Sequence, residues 1–212
     1  MRNYAHISGA PWAIKWLFDS GALWYGHNQE RYHVALSDKG QGARHSSGYV
    51  RIDMLDHTDE LFRFAMEYLK ASLDDRVCKP EVFLGAENMG IHMAHFLAEL
   101  YGGTALALPK GASHVDTNKM AGRNVLIVDD VFTTGATAKR ATEAVLAGRG
   151  MRMSSMACLV NRMGADVCGG AHLHSLIRLH APTYPEDECP LCQAGSQVVS
   201  PKEKEGWQLL VG

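Results

Sequence analysis

Two adjacent aspartates, Asp129 and Asp130, stand between an apolar run and a loop rich in Thr and Gly. Residues 125–128 are all apolar, which suits a parallel strand buried on both faces. The loop after the acids brings backbone N–H groups and hydroxyls to the start of an Ala-rich segment with helical spacing, and such a helix start binds phosphate. Carboxylates repel phosphate but can hold ribose hydroxyls. Residues 124–137 therefore predict a phosphorylated sugar lying across one strand-to-helix turn.

The stretch NVLIVDDVFTTGAT closely resembles the phosphoribosyl pyrophosphate (PRPP) signature of type I phosphoribosyltransferases. A solvated acid pair before an ordinary helix cap is the alternative, but the match extends over the whole stretch, and the chain has no Walker A or GxGxxG pattern. The resemblance implies that Asp129 and Asp130 contact the ribose hydroxyls and stabilise the oxocarbenium character that develops at ribose C1. It assigns PRPP binding also to the following residues, with the 5′-phosphate on the last five: Val131, Phe132, Thr133, Thr134, Gly135, Ala136 and Thr137.

An earlier strand-to-helix turn lies at residues 85–90. By itself it would be an ordinary connection whose glycines serve turn geometry. In the family that the signature resembles, the pyrophosphate loop occupies this turn, where backbone amides can approach the diphosphate. Some relatives have Lys where Met89 stands, so one cation is absent here. The residues assigned to pyrophosphate are Gly85, Ala86, Glu87, Asn88, Met89 and Gly90.

The segment LPKGASHVDTNKMAGRN, residues 108–124, lacks periodicity and contains Lys110, His114 and Lys119. Such lysines are usually solvated surface charges. The resemblance assigns this position to a lid that closes over PRPP, excludes water and places cations against the departing pyrophosphate. Lys110 is the first candidate for that catalytic cation and His114 the second. The segment is shorter than in orotate enzymes and lacks their usual Arg-Lys pair.

Recognition of a base is expected from other parts of the chain. The segment ARHSSGYVRID resembles the part of orotate phosphoribosyltransferases that lines the pyrimidine site, although it would otherwise be read as an edge hairpin. Asn161-Arg162 follows a strand where those enzymes place an Arg, whose guanidinium suits bidentate recognition, while Asn161 replaces their usual Asp. The predicted base-binding residues are Ser46, Tyr49, Val50, Thr133 and Arg162.

The motif CPLC places Cys189 and Cys192 in a segment that resembles the C-terminal tail of a subset of orotate phosphoribosyltransferases. A lone CxxC is also compatible with zinc or redox chemistry. Zinc needs four ligands, and without a second CxxC the remaining two would have to come from residues such as His172 and His174, or from a second subunit. We therefore predict no metal-ligating residues and treat the motif as a mark of the family.

These residues are positioned by alternating strands and helices. Strands are predicted at residues 81–86, 104–109, 153–160 and 174–179, in addition to the signature strand. Helices are predicted at 11–20, from Thr58 onward, at 89–101 and from the signature to about Gly150. The alternation predicts an α/β fold with a doubly wound, mostly parallel sheet. We expect three regions: an N-terminal helix and β hood at 1–55, a PRPP-binding core at 56–181, and an irregular tail at 182–212.

Composition restricts the class of protein. The 212 residues carry a formal net charge of -2, with 46% hydrophobic and 21% charged residues. This near-neutral balance predicts no nucleic-acid or membrane partner. Five cysteines in a chain of this size indicate reduced thiols, and the first residues do not have the pattern of a signal peptide. We expect a cytoplasmic protein.

Together these patterns predict an enzyme similar to orotate phosphoribosyltransferase. By resemblance it would convert orotate and PRPP to orotidine 5′-monophosphate and pyrophosphate, with Mg²⁺ held mainly by substrate oxygens and water, as a homodimer. Three alternatives stay open: a phosphoribosyltransferase for a purine or specialised base, a PRPP-sensing regulator without catalysis, and a metal or redox module built on CxxC.

Overall fold

The computed structural model describes residues 7–26, 31–37, 43–55, 60–77, 79–112, 114–115, 121–147 and 152–212. The chain divides into two compact units. The larger unit contains Met1–Ile14 and Leu55–Leu179, and the smaller contains Lys15–Met54 and His180–Gly212. Among the residues described, no helix is both long and apolar enough to cross a membrane.

The described residues form thirteen strands and six α-helices. The strands are β1 (Ile7–Gly9), β2 (Leu23–Tyr25), β3 (Tyr32–Ser37), β4 (Ala43–Ser46), β5 (Gly48–Val50), β6 (Val82–Ala86), β7 (Thr104–Leu108), β8 (Asn124–Phe132), β9 (Arg152–Asn161), β10 (Val167–Cys168), β11 (Ala171–Leu179), β12 (Thr183–Pro185) and β13 (Gln197–Val199). The helices are α1 (Pro11–Asp19), α2 (Glu60–Asp74), α3 (Glu87–Tyr101), α4 (Ala136–Ala147), α5 (Pro190–Gln193) and α6 (Lys204–Val211).

The larger unit is built on a sheet with the strand order β1-β11-β9-β8-β6-β7, and β10 pairs with β11. Strands β11, β9, β8, β6 and β7 are parallel to their neighbours, whereas β1 and β10 pair antiparallel to β11. The signature strand β8 lies between β6 and β9. Its Ile127 pairs with Leu84 of β6, and its Val128 pairs with Ala157 of β9. The predicted α/β fold with a mostly parallel sheet is confirmed.

Helices cover the central strands on both faces. Val125 and Ile127 of β8 belong to a buried cluster with Ala138, Ala141 and Val145 of α4. The alternate residues of β8 point to the opposite face, because side chains alternate along a strand, and they are fully buried as well. Helix α3 contacts β6, β7 and β8, and it packs on α2. Burial on both faces explains why β8 begins as an uninterrupted apolar run.

Helix α2 has the apolar face of an amphipathic helix, with Phe62, Ala65, Met66, Leu69 and Leu73 buried. Leu61 is 46% exposed. Thr58, from which this helix was predicted to begin, lies outside the described residues. Helix α3 ends at Gly102, which adopts the left-handed conformation and donates its N–H to carbonyls of the last turn.

The smaller unit contains a four-stranded sheet in the order β12-β4-β3-β13 and a two-stranded sheet of β2 and β5. Its core consists of Trp24, Val34, Val199, Trp207 and Leu210. The Trp207 indole donates a hydrogen bond to the Gly21 carbonyl at 3.0 Å. The segments Lys15–Met54 and His180–Gly212 therefore share one core.

One expectation about this unit was wrong. Residues after Pro182 were predicted to be irregular, but they form β12, a 3-10 turn, α5, β13 and α6. The prediction failed because the two strands are three residues long and depend on β4 and β3 for their pairing. Residues 43–46 form β4, which lies between β3 and β12.

Candidate functional site

The two aspartates lie at the carboxyl end of the central strand β8. The preceding apolar residues are buried between the helices, and this packing carries Asp129 into a position with only 5% of its surface exposed. Asp130 is half-buried. The N–H of Asp130 donates to Oδ1 of Asp129 at 2.9 Å, and the N–H of Val131 donates to Oδ1 of Asp130 at 2.7 Å. Both carboxylates are thus fixed by the backbone while keeping further oxygen lone pairs for a ligand.

The surroundings of this pair disfavour its ionised form. Burial raises the pKa of Asp129 well above its ordinary value, and the charges of Asp130 and Glu87 raise it further. Burial also raises the pKa of Asp130. Hydrogen bonds from backbone amides favour the ionised forms but do not offset burial. Such carboxylates are suited to a partner that supplies hydroxyl donors or positive charge.

The loop after β8 leads directly into helix α4. Thr133 and Thr134 are exposed, and Gly135 has a φ of 79°, a left-handed conformation that favours glycine at this bend. The N–H of Lys139 donates to the Gly135 carbonyl at 2.8 Å, which closes the first turn. The exposed hydroxyls and the amide groups at the start of α4 form an anion-binding arrangement. Phe132 is buried in the core, so only its backbone can take part.

The predicted pyrophosphate turn packs tightly against β8. A Cβ on Gly85 would lie 2.3 Å from the Gly90 carbonyl oxygen, and a Cβ on Gly90 would lie 2.8 Å from the Val128 oxygen and 3.1 Å from Asp129 Oδ1. Both positions therefore exclude any larger residue. This close approach brings the start of α3 against the acid pair.

The start of α3 also contains a strained residue. Glu87, the first residue of the helix, has a φ of 60°, which is uncommon for a residue other than glycine. The preceding Ala86 makes no side-chain hydrogen bond to the helix start. Amide groups at such a helix start lack partners within the helix and can bind an anion. Strain of this kind clusters at functional sites.

Arg140 links three parts of this site. Its guanidinium donates to the Glu87 carboxylate at 3.0 Å and to the carbonyls of Pro109 and Ala112 at 2.8 and 3.1 Å. It thereby connects α4 to the start of α3 and to the beginning of the predicted lid. The sequence prediction missed this residue because an Arg in the second turn of a helix reads as an ordinary surface charge. Only the fold reveals its partners.

Lys110 and His114 are both exposed and lie on either side of Ala112. The N–H of Ala112 donates to the Pro109 carbonyl at 3.0 Å, so the lid begins with a hydrogen-bonded turn that includes Lys110. The third cation of the predicted lid, Lys119, lies outside the described residues. The two described candidates therefore border the segment that Arg140 fixes.

The predicted base-binding residues belong to both units. Arg162 follows β9, and its backbone N–H donates to the Phe132 carbonyl at 2.8 Å. The backbone of Arg162 therefore lies beside the end of β8 in the larger unit. Asn161 accepts from the Met163 N–H and donates to the Ala165 carbonyl, both at 2.9 Å, and so shapes the loop that contains Arg162.

The other three predicted base-binding residues lie in the smaller unit. Ser46 is fully buried and donates to the Ala181 carbonyl at 3.3 Å. Tyr49 packs edge-on against Trp207, with ring centroids 6.0 Å apart, and the buried Val50 pairs with Leu23. All three contribute to the packing of this unit, and their role toward a base stays a prediction.

The chain is similar in sequence to known phosphoribosyltransferases. A model described as phosphoribosyl transferase domain matches residues 100–167. Orotate phosphoribosyltransferase of Heliobacterium modesticaldum is 29% identical over 163 residues, which cover 74% of this chain and 84% of that relative. The same enzyme of Caldicellulosiruptor saccharolyticus is 39% identical over 84 residues, 40% of this chain and 44% of that relative. The predicted resemblance is confirmed.

Solved structures agree on the fold. Orotate phosphoribosyltransferase from Aeropyrum pernix matches with a TM-score of 0.58 at 21% identity, covering 77% of this chain and 92% of that one. Leishmania donovani UMP synthase matches with a TM-score of 0.61 at 19% identity, covering 94% of this chain and 41% of that longer one. At these identities the likeness concerns the fold alone.

Proposed function

Because its relatives are orotate phosphoribosyltransferases, we propose that this phosphoribosyltransferase-like chain is an enzyme that transfers the 5-phosphoribosyl group from PRPP to orotate. N1 of orotate attacks ribose C1 with inversion and gives up its proton, and the bond from C1 to pyrophosphate breaks. The products are orotidine 5′-monophosphate, pyrophosphate and the released proton. The observation that carries the proposal is the buried acid pair of β8, which leads directly into the exposed threonines and the start of α4.

Three parts of PRPP can each be assigned to a part of the proposed site. We assign the ribose hydroxyls to Asp129 and Asp130, the 5′-phosphate to residues 133–137, and the pyrophosphate to residues 85–90. The charge that develops on ribose C1 lies closest to the carboxylates, which are positioned in advance by backbone hydrogen bonds. The departing pyrophosphate would be bound by amide groups at the start of α3 and by Lys110. His114 is the second candidate for this cation.

The raised pKa values of the acid pair suit a partner that supplies positive charge, such as a divalent cation. Mg²⁺ prefers oxygen ligands and keeps much of its hydration, so it would be held mainly by substrate oxygens and water, with Asp129 and Asp130 nearby. When bound, it neutralises charge on the pyrophosphate and so improves the leaving group. The carboxylates themselves orient the ribose by accepting hydrogen bonds from its hydroxyl groups.

In the larger unit we assign base recognition to Arg162 and Thr133, and we keep Ser46, Tyr49 and Val50 of the smaller unit as candidates from the sequence resemblance. The support from geometry is strongest for Arg162, since its backbone is bonded to the end of β8. A guanidinium there can pair with the carboxylate of orotate, which hypoxanthine and adenine lack. Preference for an acidic base would therefore depend on this residue.

A panel of bases with radiolabelled PRPP and Mg²⁺ tests the proposal. We expect pyrophosphate release with orotate and none with hypoxanthine or adenine. Lys110→Ala should strongly reduce this release, while the matched control Lys139→Ala, an exposed Lys on α4, should not. Turnover with a purine but not orotate would overturn the choice of base. PRPP binding without turnover on any base would identify a regulator instead of an enzyme.

We also propose a homodimer located in the cytoplasm. In the family that the sequence resembles, lids reach the neighbouring subunit, and Lys110 lies in the corresponding segment. The cytoplasmic location rests on the odd number of scattered cysteines, five in the sequence, which is typical of reduced thiols. Light scattering coupled to size-exclusion chromatography measures the mass in solution, and a monomeric mass under assay conditions would contradict the dimer.

A further inference from the structure

Four potential metal ligands meet inside the smaller unit, and the proposed transferase chemistry does not use them. They are His33, His45, Cys189 and Cys192, here called the His2Cys2 cluster. One donor atom from each residue lies within 4.8 Å of every other. His33, His45 and Cys189 are 1–2% exposed, and Cys192 is partly buried. From the sequence, the candidate partners of the cysteines were His172, His174 or residues of a second subunit.

The strand pairing brings the two histidines together. His45 of β4 lies opposite Ala35 of β3, so His33, two residues before Ala35, is its diagonal neighbour on the same face of the sheet. The rings are 4.8 Å apart between centroids. This arrangement depends on the antiparallel register of β3 and β4.

The tail brings the cysteines to the same place. Strand β12 pairs with β4, and β13 pairs with β3, so the segment between them is anchored at both ends. Within that segment Cys189 immediately precedes the short helix α5, and its carbonyl accepts from the Gln193 N–H at 3.2 Å. The resulting turn directs Cys192 to the histidines.

The distances match a tetrahedral metal site. His33 Nε2 lies 3.2 Å from His45 Nδ1, and Cys192 Sγ lies 3.3 Å from His33 Nε2 and 3.2 Å from His45 Nδ1. Zinc bonds of about 2.0–2.1 Å to nitrogen and about 2.3 Å to sulfur separate two nitrogens by about 3.3 Å and a nitrogen from a sulfur by about 3.6 Å. Only small movements would therefore complete the coordination.

Hydrogen bonding alone explains this triangle poorly. An imidazole nitrogen has one in-plane lone pair or one N–H, so it can point at only one partner. Here each of His33 Nε2 and His45 Nδ1 has two neighbours that are separated by about 60°, since the three distances are nearly equal. Lone pairs that converge on a central cation satisfy all three atoms at once.

We propose that the His2Cys2 cluster binds one structural Zn²⁺. Two thiolates and two neutral imidazoles form a closed four-ligand set, and together with the cation they have no net charge. Ser196 would act on the outer side, because its hydroxyl lies 3.0 Å from Nδ1 of His33 and fixes the ring with Nε2 facing the cluster. Burial of three ligands excludes the open coordination position that catalysis by zinc requires.

The ion would fasten two distant parts of the chain. His45 and Cys192 are 147 positions apart, and they belong to the two segments that make up the smaller unit. The described core of that unit is small, with five buried apolar residues in its central cluster. Units of this size commonly depend on a metal or a disulfide for stability. Zinc would thus supply the stability that the apolar core lacks.

Metal analysis of the full chain, purified after growth with added zinc, tests the proposal. We expect about one zinc per chain, and near-complete loss in His45→Gln and Cys192→Ser. The matched controls are His172→Gln and Cys168→Ser, which change the same residue types in the larger unit and should keep the metal. Absence of zinc from the wild-type chain, or its retention in the double variant Cys189→Ser/Cys192→Ser, would overturn the site.

A spectroscopic measurement avoids reliance on variants that fail to fold. X-ray absorption of the zinc-loaded wild-type chain should show two nitrogens at about 2.0–2.1 Å and two sulfurs at about 2.3 Å. Replacement of zinc by Co²⁺ should give the visible bands of a tetrahedral site with sulfur-to-cobalt charge transfer. An oxygen-only coordination shell, or a Cys189–Cys192 disulfide found by mass spectrometry in the freshly purified chain, would contradict the proposal.

Discussion

The proposed sugar-phosphate site and the proposed His2Cys2 cluster are assembled in opposite ways. The first is built at strand ends, from short stretches of consecutive residues such as 85–90 and 129–137. The second joins residues up to 159 positions apart, through the pairing of short strands. A site of the first kind depends on how closely one helix packs on one strand. A site of the second kind depends on whether two distant segments assemble at all.

This difference predicts which changes affect catalysis and which affect stability. The largest catalytic effect should follow Asp129→Asn, with kcat reduced by about 10²- to 10³-fold, because a carboxylate near the developing charge is lost. The same change should raise thermal stability, since burial of the ionised group disfavours folding. Steady-state kinetics and thermal unfolding measure the two effects. Asp74→Asn, in an exposed acid of α2, is the control, and a parallel loss of stability in Asp129→Asn would contradict the comparison.

The reverse pattern is expected for the His2Cys2 cluster. The double variant Cys189→Ser/Cys192→Ser should lose about 3 kcal/mol of unfolding free energy, as expected for loss of a structural metal. Treatment of the wild-type chain with a zinc chelator should lower its unfolding temperature to about that of the double variant. If chelation leaves the unfolding temperature unchanged, the cluster contributes no metal-dependent stability.

Close packing between α3 and β8 gives an intermediate case. Gly90→Ala would place a Cβ 2.8 Å from the Val128 oxygen and 3.1 Å from Asp129 Oδ1. Displacement of α3 should lower stability by about 1–3 kcal/mol and weaken PRPP binding as well. Calorimetric titration with PRPP and denaturant unfolding test both effects. The control is His95→Ala, on the exposed side of α3, which should change neither stability nor PRPP affinity. Unaltered PRPP affinity in Gly90→Ala would show that the turn at 85–90 does not influence PRPP binding at the acid pair.

A smaller effect is expected for Arg140→Met. Loss of its bonds to Glu87, Pro109 and Ala112 should raise the KM for PRPP by about ten-fold, with a lesser change in kcat, because the guanidinium positions the turn and the lid but need not contact substrate. Arg140→Lys should restore part of this loss. Lys139→Met, an exposed neighbour on α4, is the control. A KM for PRPP equal to the wild-type value in Arg140→Met would show that Arg140 does not position the proposed PRPP site.

The smallest effect concerns protons. The raised pKa of Asp129 means that the free protein retains a proton at a pH where an ordinary aspartate has lost it. A ligand that carries Mg²⁺ favours the ionised form, so binding should release less than about one proton per site, and affinity should fall as pH decreases through the raised pKa. Titration calorimetry in buffers of different ionisation enthalpy measures this release. It should disappear in Asp129→Asn, and a release that persists there would assign the proton to another group.

The larger unit was predictable because its signals are local. The apolar run before Asp129, the periodicity of α2 and the Gly-containing turn at 85–90 each fall within a few consecutive residues, and the parallel sheet follows from their alternation. The ion pair of Glu87 with Arg140 was not predictable in this way. It spans 53 positions, and neither residue differs in type from an ordinary surface charge.

The smaller unit resisted prediction for the same physical reason on a larger scale. Strand β4 has the sequence ARHS, whose polar residues give no alternation of apolar and polar side chains. It is a strand because β3 and β12 supply its partners. The CPLC motif was recognised, but its histidine partners could not be chosen from sequence, since eleven histidines occur in the chain. Register, not composition, selects His33 and His45.

The discontinuity of the smaller unit has a consequence for how the protein forms in the cell. During synthesis from the N-terminus, residues 55–179 are available as one continuous stretch and can begin to fold as a unit. The segment Lys15–Met54 gains two neighbouring strands only after residues beyond His180 have left the ribosome, because β12 pairs with β4 and β13 pairs with β3. Until then His33 and His45 lack their two sulfur partners. Metal capture at the His2Cys2 cluster would therefore follow the synthesis of Cys192, and it would report that the two segments of the smaller unit have come together.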